Sequence, residues 1–158
     1  MSNSLSYGLG QGEHEYNEET FEIPVIGEYI KSSTFKSFSS ERLSLKFNKC
    51  IFRGGFLEFE NISQPNIEVK FNDCIFDCEF VIKDSSFFSL GFLNTKQIKS
   101  ISISSGTFNH LSFKNSSENH AICGNVRVTD CKIINTLSFE NLNHQEGEFL
   151  ISVNENEK

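Results

Sequence analysis

Cysteine is the residue type in this chain with the widest range of chemistry, and five cysteines are present. Cys74 and Cys78 are separated by three residues, and together with Cys50 they could offer thiolates to a metal ion. Structural zinc sites, however, use two closely spaced pairs of ligands, and this stretch has one such pair at most. The simpler interpretation is that these thiols fill a narrow core. We therefore predict neither a metal site nor a cofactor.

A histidine and a cysteine near residue 120 form a second candidate. His120 lies three positions before Cys123, and such a pair could act as a base and a thiol nucleophile. The sequence supplies no third residue to orient the histidine, and the segment has the composition of a loop. We therefore assign no catalytic role to either residue.

The densest acidic cluster outside the chain ends consists of Asp73, Asp77, Glu79 and Asp84. Paired carboxylates in a groove could cleave glycosidic bonds. Lysines flank this cluster, which is typical of a solvated face, and a short fold offers little groove. Catalysis is therefore the least favoured hypothesis, and we expect the protein not to be an enzyme.

The net charge of the chain limits the classes of partner that it is expected to bind. The chain has 158 residues and a net charge of −7, whereas nucleic-acid binders are usually basic. It contains 17 phenylalanines, which a disordered chain would lack, and no apolar run of membrane-spanning length. No secretory signal begins the sequence, and the cysteine count is odd. We expect a cytoplasmic protein with no nucleic-acid or membrane partner, and a bacterial or phage origin fits.

The acidic residues are concentrated at the two ends of the chain. Residues 1–30 carry six glutamates and no lysine or arginine, and residues 140–158 carry five glutamates and one lysine. The segment 31–139 between them is slightly basic, with a net charge of +3. This distribution makes the acidic ends candidates for contact with a basic partner. The interaction candidates at the N-terminal end are Glu13, Glu15, Glu18 and Glu19.

The middle of the chain repeats a six-residue pattern. Residues 47–52 (FNKCIF) and 71–76 (FNDCIF) share four positions at a separation of 24 residues. Residues 82–87 (IKDSSF), 103–108 (ISSGTF) and 128–133 (VTDCKI) have the same form. Each copy has a large apolar residue, two mostly polar residues, a small residue, a spacer and another large apolar residue. Alternating apolar residues precede these copies, which predicts short strands closed by polar corners.

Two strand-and-corner units span the length of one coil of a parallel β-helix. We predict an all-β solenoid of about four to six coils, in which equivalent residues of successive coils stack. An antiparallel β-sandwich explains the alternation equally well and remains the alternative, but it does not explain the matched copies. The residues predicted to form the core ladder are Phe47, Cys50, Phe52, Phe71, Cys74, Phe76, Ile103, Phe108, Val128, Cys131 and Ile133.

The predicted domain organisation has a single folded unit. Residues 1–20 are expected to form an acidic flexible tail, and residues 154–158 a polar one. The β-helix domain spans 21–153, with a capping strand at 21–30 and the repeats at 43–141. Capping matters because the ends of a β-helix leave open strand edges.

At these repeats the sequence resembles the pentapeptide-repeat proteins. In that family a large apolar residue occupies the centre of every five, with a small residue two positions before it. Runs such as Phe71/Phe76/Val81 and Ile103/Phe108/Phe113 keep this spacing. The resemblance covers roughly residues 43–141 and implies a right-handed quadrilateral β-helix. Here the Asp or Asn precedes the small residue, whereas in the family it precedes the central one.

Three functions follow as hypotheses. The leading one is a non-catalytic protein-binding β-helix, an inhibitor or regulator of a cellular or defence machine with an unidentified protein partner. The second is a structural β-helix of a phage or bacterial particle that self-assembles as a homo-oligomer through its coil ends. The third follows from the family resemblance, since some pentapeptide-repeat proteins mimic duplex DNA and so inhibit topoisomerases.

Overall fold

A computed structural model describes residues 13–23, 25, 28–31, 43–60, 62, 67–95, 97–115, 121–122, 124–140, 143–144 and 149–154. These residues form strands and turns. A helix with the length and apolar character needed to span a membrane does not occur among them. The strands are Glu13–Asn17 (β1), Thr20–Ile23 (β2), Glu28–Lys31 (β3), Leu43–Asn48 (β4), Ile51–Glu60 (β5), Ile67–Asn72 (β6), Ile75–Lys83 (β7), Ser86–Leu93 (β8), Gln97–Ser104 (β9), Thr107–Lys114 (β10), Ala121–Ile122 (β11), Asn125–Glu140 (β12), Asn143–His144 (β13) and Phe149–Asn154 (β14).

Apart from the short pair β11–β13, the described strands form two parallel ladders. The first runs β1-β4-β6-β8-β10 and continues into the second half of β12. The second runs from β2 and β3 through β5, β7 and β9 to the first half of β12 and then β14. Every described pairing is parallel, which rules out the antiparallel sandwich. The fold is the predicted parallel β-solenoid, with about four turns.

Within each turn of the solenoid, some strand segments place two side chains in the core and others place one. In the turn made by β4 and β5, alternation buries two apolar residues on β4, one at the start of β5 and two at its end. The pairing register slips within β5, between Arg53 and Phe56, so that one strand bends around a corner. The buried residues of this turn are Leu45, Phe47, Phe52, Leu57, Phe59 and, after the strand, Ile62.

Residues with positive φ form the other corners. Seven non-glycine residues with φ between 50° and 55° stand in two columns, and Asp or Asn occupies four of the positions. These residues tolerate the left-handed conformation better than most. In each column the amide donates to a carbonyl of the next turn, as from Asp73 N to Leu93 O at 2.8 Å. The columns are Glu18, Lys49, Asp73 and Asn94, and then Asp84, Ser105 and Asp130.

A small buried residue follows each corner from the second turn onward. Cys74 and Cys131 are examples, and their thiols lie 3.4 and 3.3 Å from the carbonyl oxygens two residues earlier. The hydroxyl of Ser85 donates to the equivalent carbonyl at 2.9 Å. This explains why the sequence repeats an Asp or Asn immediately before a small residue. The first residue makes the turn, and the second fills the space inside it.

Aromatic rings stack along the solenoid axis. Phe47, Phe71, Phe92 and Phe113 lie directly above one another, with neighbouring ring centroids 4.7 to 5.2 Å apart. Phe21, Phe52 and Phe76 form a second column. Stacked and edge-to-face rings stabilise a core beyond the burial of their area.

The structure adjusts three details of the sequence prediction. Residues 13–17, expected in a flexible tail, form β1, because its backbone pairs in parallel with β4. The predicted core-ladder residues are buried except Ile133, which is half-buried because it lies in the last turn. Val81 does not continue the five-residue spacing inward. Buried residues alternate along β7 at Phe76, Cys78, Phe80 and Ile82, so Phe80 faces the core and Val81 is half-buried.

Candidate functional site

The last turn of the solenoid is the candidate site. Its first-ladder segment is the second half of β12, residues 132–140, which continues directly from a half that pairs with β9. The chain enters this segment at the corner residue Asp130, and Cys131 fills that corner. The site therefore belongs to the scaffold itself and is positioned by backbone pairing with β10.

Side chains that point inward in this turn are less covered than those below them. Phe139 pairs with Phe113 in register, yet Phe139 is 37% exposed and Phe113 only 1%. Leu137 and Ile133 are half-buried, whereas their partners Leu111 and Phe108 are buried. We call the four apolar residues at this end, Ile133, Ile134, Leu137 and Phe139, the C-terminal face.

Among the described strands, the backbone of the same segment lies at an edge of the sheet. Residues 136–140 pair with β10 on one side, and among the described strands none pairs with them on the other. Among the described residues, β14 pairs with β12 as far as Lys132. The sequence from Thr136 to Phe139 contains no charged residue and no proline, which are the usual protections of an edge. Within the described part of the chain, an apolar surface therefore coincides with a strand edge that lacks these protections.

The opposite end of the solenoid is better covered. Phe21 and Ile23 of the first turn are both buried. The ring of Tyr16 stacks on Phe47 at 5.0 Å and meets Phe21 edge-on at 5.7 Å. Burial, followed by the nearby charge of Glu19, raises the pKa of Tyr16 to about 12. Among the described residues the two ends thus differ, since the terminal ring Tyr16 is half-buried and the terminal ring Phe139 is exposed.

The predicted acidic contact residues lie in and beside β1. Glu15 is exposed, and its carboxylate accepts a 2.7 Å hydrogen bond from Asn48. Glu18 takes the corner conformation, with φ of 55°, and its amide donates to Asn48 O. Glu19 is half-buried, and its carbonyl accepts from Ile51 N. Glu13 is placed by its backbone pairing with Ser44. Their role in contacting a partner stays a prediction.

The residues considered for catalysis or metal binding are not assembled into a site. Asp73 and Asp84 occupy different corner columns. Asp77 and Glu79 are exposed on β7, where their backbones stand opposite those of Arg53 and Phe56 of β5. His120 and Cys123 lie outside the described residues. Across the described ranges, no three His, Cys, Asp or Glu side chains are grouped to hold a metal ion.

The described cysteines are buried free thiols. Burial raises the pKa of Cys78 to about 12 and also raises that of Cys131. A hydrogen bond with Cys50, together with burial, raises the pKa of Cys74. Because the thiolate is the reactive form, Cys74, Cys78 and Cys131 are suited to packing rather than to nucleophilic chemistry.

Sequence reasoning did not single out the C-terminal face. The signal was present, since the repeat ends near residue 141 while apolar residues continue up to that point. In comparisons with protein-family models, curated proteins and solved structures, we found no match to this chain.

Proposed function

We propose that this chain is a non-catalytic protein-binding β-solenoid, and that its C-terminal face receives a β-strand of a partner protein. The observation that carries the proposal is the coincidence of exposed Phe139 and Ile134 with residues 136–140, which lie at the sheet edge among the described strands. Strand addition to a sheet edge is a common way to bind an extended protein segment, because the backbone supplies affinity and alternate side chains supply specificity.

The C-terminal face also indicates which residues the added strand should contain. Leu137 and Phe139 are separated by one residue and point toward the solenoid axis, so a strand stacked above them would need apolar residues at the same alternation. Covering Phe139 would remove the last exposed ring of its column from water. A partner strand that continues the column with an aromatic or β-branched residue fits best.

Charge favours a basic partner. Glu140 ends the edge segment, and residues 140–158 have a net charge of −4. Opposite charge on the partner would speed association and discriminate against acidic competitors. A rigid scaffold that caps a basic strand in this way suits a regulator or inhibitor of another protein.

The test compares capture of partners from the source cells by three forms of the protein. Phe139→Asp places a charge on the C-terminal face. Val25→Asp is the matched control, because Val25 is also a large exposed apolar residue but lies between β2 and β3. We expect the wild type and Val25→Asp to retain the same protein, and Phe139→Asp to lose it. Hydrogen exchange on the complex should then show new protection of the amides of residues 136–140.

Equal capture by all three forms would overturn the proposal. So would a complex in which protection appears elsewhere and the 136–140 amides exchange as in the free protein. Folding of Phe139→Asp is checked by its urea unfolding transition, so that a lost complex is not mistaken for a lost fold.

Self-assembly is the second candidate, and the same edge favours it, because a second copy could pair with residues 136–140. Charge acts against it. Residues 1–30 and 140–158 are both acidic, so head-to-head and head-to-tail contacts each bring like charges together. Light scattering during size exclusion separates the candidates, since assembly predicts species that grow with protein concentration.

A duplex-DNA mimic receives less support. Such a protein needs a continuous acidic stripe along its axis. In the described pairings no acidic residue stands opposite another one in the neighbouring turn. Arg53, for example, separates Glu22 from Asp77 and binds Glu22 at 2.6 Å.

The kinship with pentapeptide-repeat proteins remains part of the proposal. It is supported by corners in which a small buried residue follows a turn residue, and by inward runs such as Ile103/Phe108/Phe113. Segments in which two alternating residues face the core depart from the family's strict five-residue spacing. A cytoplasmic location is likewise proposed, since a reducing compartment keeps the described cysteines as free thiols.

A further inference from the structure

The outer surface of β4, β6, β8 and β10 carries a cleft of about 330 Å³. It lies on one side of the solenoid, on the first ladder, and includes none of the residues of the C-terminal face. Its size falls within the range of small-molecule sites. The residues that line it are Lys46, Lys70, Asn72, Ser89, Gly91, Phe92, Leu93, Ser112 and Lys114.

Register brings the lysines and the floor of the cleft together. In one outward row Lys46 stands opposite Lys70, Lys70 opposite Gly91, and Gly91 opposite Ser112. Neighbouring strands lie about 4.8 Å apart, so these positions follow one another closely along the axis. In the next row Leu93 stands opposite Lys114. The cleft exists because small residues succeed the two lysines on the same row.

The lysines of this cleft do not protect a strand edge. β4, β6, β8 and β10 each pair with a strand on both sides, so their lysines do not serve to block further pairing. Like charges directly opposite one another destabilise a sheet, and Lys46 and Lys70 are such a pair. An anion bound between them would relieve this repulsion.

Acidic residues border the cleft and limit its charge without removing it. Glu15 stands opposite Lys46 in the register, and Glu68 lies in the adjoining row beside Ser89. Lys114 lies 3.8 Å from Glu140, and both side chains are well exposed, so this ion pair is weak. Lys70 is exposed at the centre of the cleft wall.

We propose that this cleft binds a sugar that carries an anionic group such as a carboxylate. The lysines would bind the anion, and the hydroxyls of Ser89 and Ser112 with the amide of Asn72 offer both donors and acceptors to ring hydroxyls. Leu93 gives the apolar contact that a sugar ring needs on one face. A simple inorganic anion would use the lysines but not the serine floor or Leu93.

The test is a titration of the full chain, followed by the backbone amide shifts of residues 89–93 and 110–114. Glucuronate is the probe, glucose has the ring without the charge, and acetate has the charge without the ring. We expect glucuronate to shift these amides with saturation, and glucose and acetate to bind at least about tenfold more weakly, as the loss of one charge-assisted or several neutral hydrogen bonds implies.

Variants test the two halves of the site. Lys70→Gln should weaken glucuronate binding by about tenfold, the cost of one charged hydrogen-bond donor. Gly91→Val should block binding by filling the floor. Lys83→Gln is the matched control, since Lys83 is an exposed lysine on β7, in the second ladder. It should bind like the wild type.

Acetate binding as tight as glucuronate would overturn the sugar and leave only an anion site. Shifts confined to other amides, or equal losses in Lys70→Gln and Lys83→Gln, would overturn the cleft itself. Phe139→Asp should bind glucuronate normally. The cleft and the strand-binding face can therefore fail independently.

Discussion

The ring of Phe139 stacks on that of Phe113, with centroids 5.6 Å apart and planes 14° from parallel. Phe113 is the last buried ring of its column, and Phe139 is the exposed ring at the end of that column. We expect Phe113→Ala to lower the free energy of unfolding by about 3–5 kcal/mol, because it opens a cavity in the core. Phe139→Ala should cost about 1 kcal/mol, because its ring is only partly removed from water. Urea unfolding measures both, and equal losses would contradict the buried column.

Lys49 occupies a left-handed corner position, with φ of 54°. Asp or Asn fills four positions of the same kind, and glycine tolerates this conformation best. Lys49→Gly should therefore leave stability unchanged or raise it by up to about 1 kcal/mol. Lys46→Gly is the control, because Lys46 lies within β4, where glycine should destabilise. A large loss of stability in Lys49→Gly would show that the lysine side chain, rather than the backbone, matters there.

Gly54 has φ of 122° at the bend of β5, and a methyl group on it would collide with the carbonyl oxygen of Ile23. Because that contact is with backbone of the first turn, it cannot relax cheaply. We expect Gly54→Ala to destabilise the protein by about 2–3 kcal/mol or more, and to increase hydrogen exchange in β2. Gly91→Ala is the comparison, since its methyl group would approach only the hydroxyl of Ser112, at 3.3 Å. Similar losses in the two variants would contradict this account.

Alkaline pH should destabilise the fold. Burial raises the pKa of Cys78 from 9.0 to about 12, and burial followed by Glu19 raises that of Tyr16 from 10.0 to about 12. Between pH 9 and 12 the unfolded chain loses these protons before the folded one does, so the free energy of unfolding falls as pH rises. Their stabilising effect is complete below pH 9.

Tyr16→Phe keeps the ring that stacks on Phe47 but removes the ionisable hydroxyl. The decline of stability between pH 10 and 12 should therefore be shallower in this variant than in the wild type. Urea titrations at several pH values measure the slopes. Parallel slopes would show that Tyr16 ionises equally in the folded and unfolded chains.

Some of the fold could be read from local sequence because it depends on local chemistry. The copies at 47–52 and 71–76 placed Phe47 over Phe71 and Cys50 over Cys74, and the structure has both pairs in successive turns. At four corners the residue before the small one is Asp or Asn, and this residue makes the turn. Phe80 was missed in favour of Val81, because β7 keeps a two-residue alternation of buried side chains where the family resemblance implied a five-residue step.

The sequence by itself determined the parallel solenoid, its aromatic core and its polar corners, because alternation and repeat spacing are properties of neighbouring residues along the chain. Only the tertiary structure decided which turn of the solenoid is the least buried and which surface residues become neighbours. Lys70 and Gly91 are 21 positions apart in the sequence, and only interstrand register places one beside the other. Phe139 looks like any other ladder phenylalanine until the stack is built. Its exposure depends on its place in the assembled stack and on no single segment.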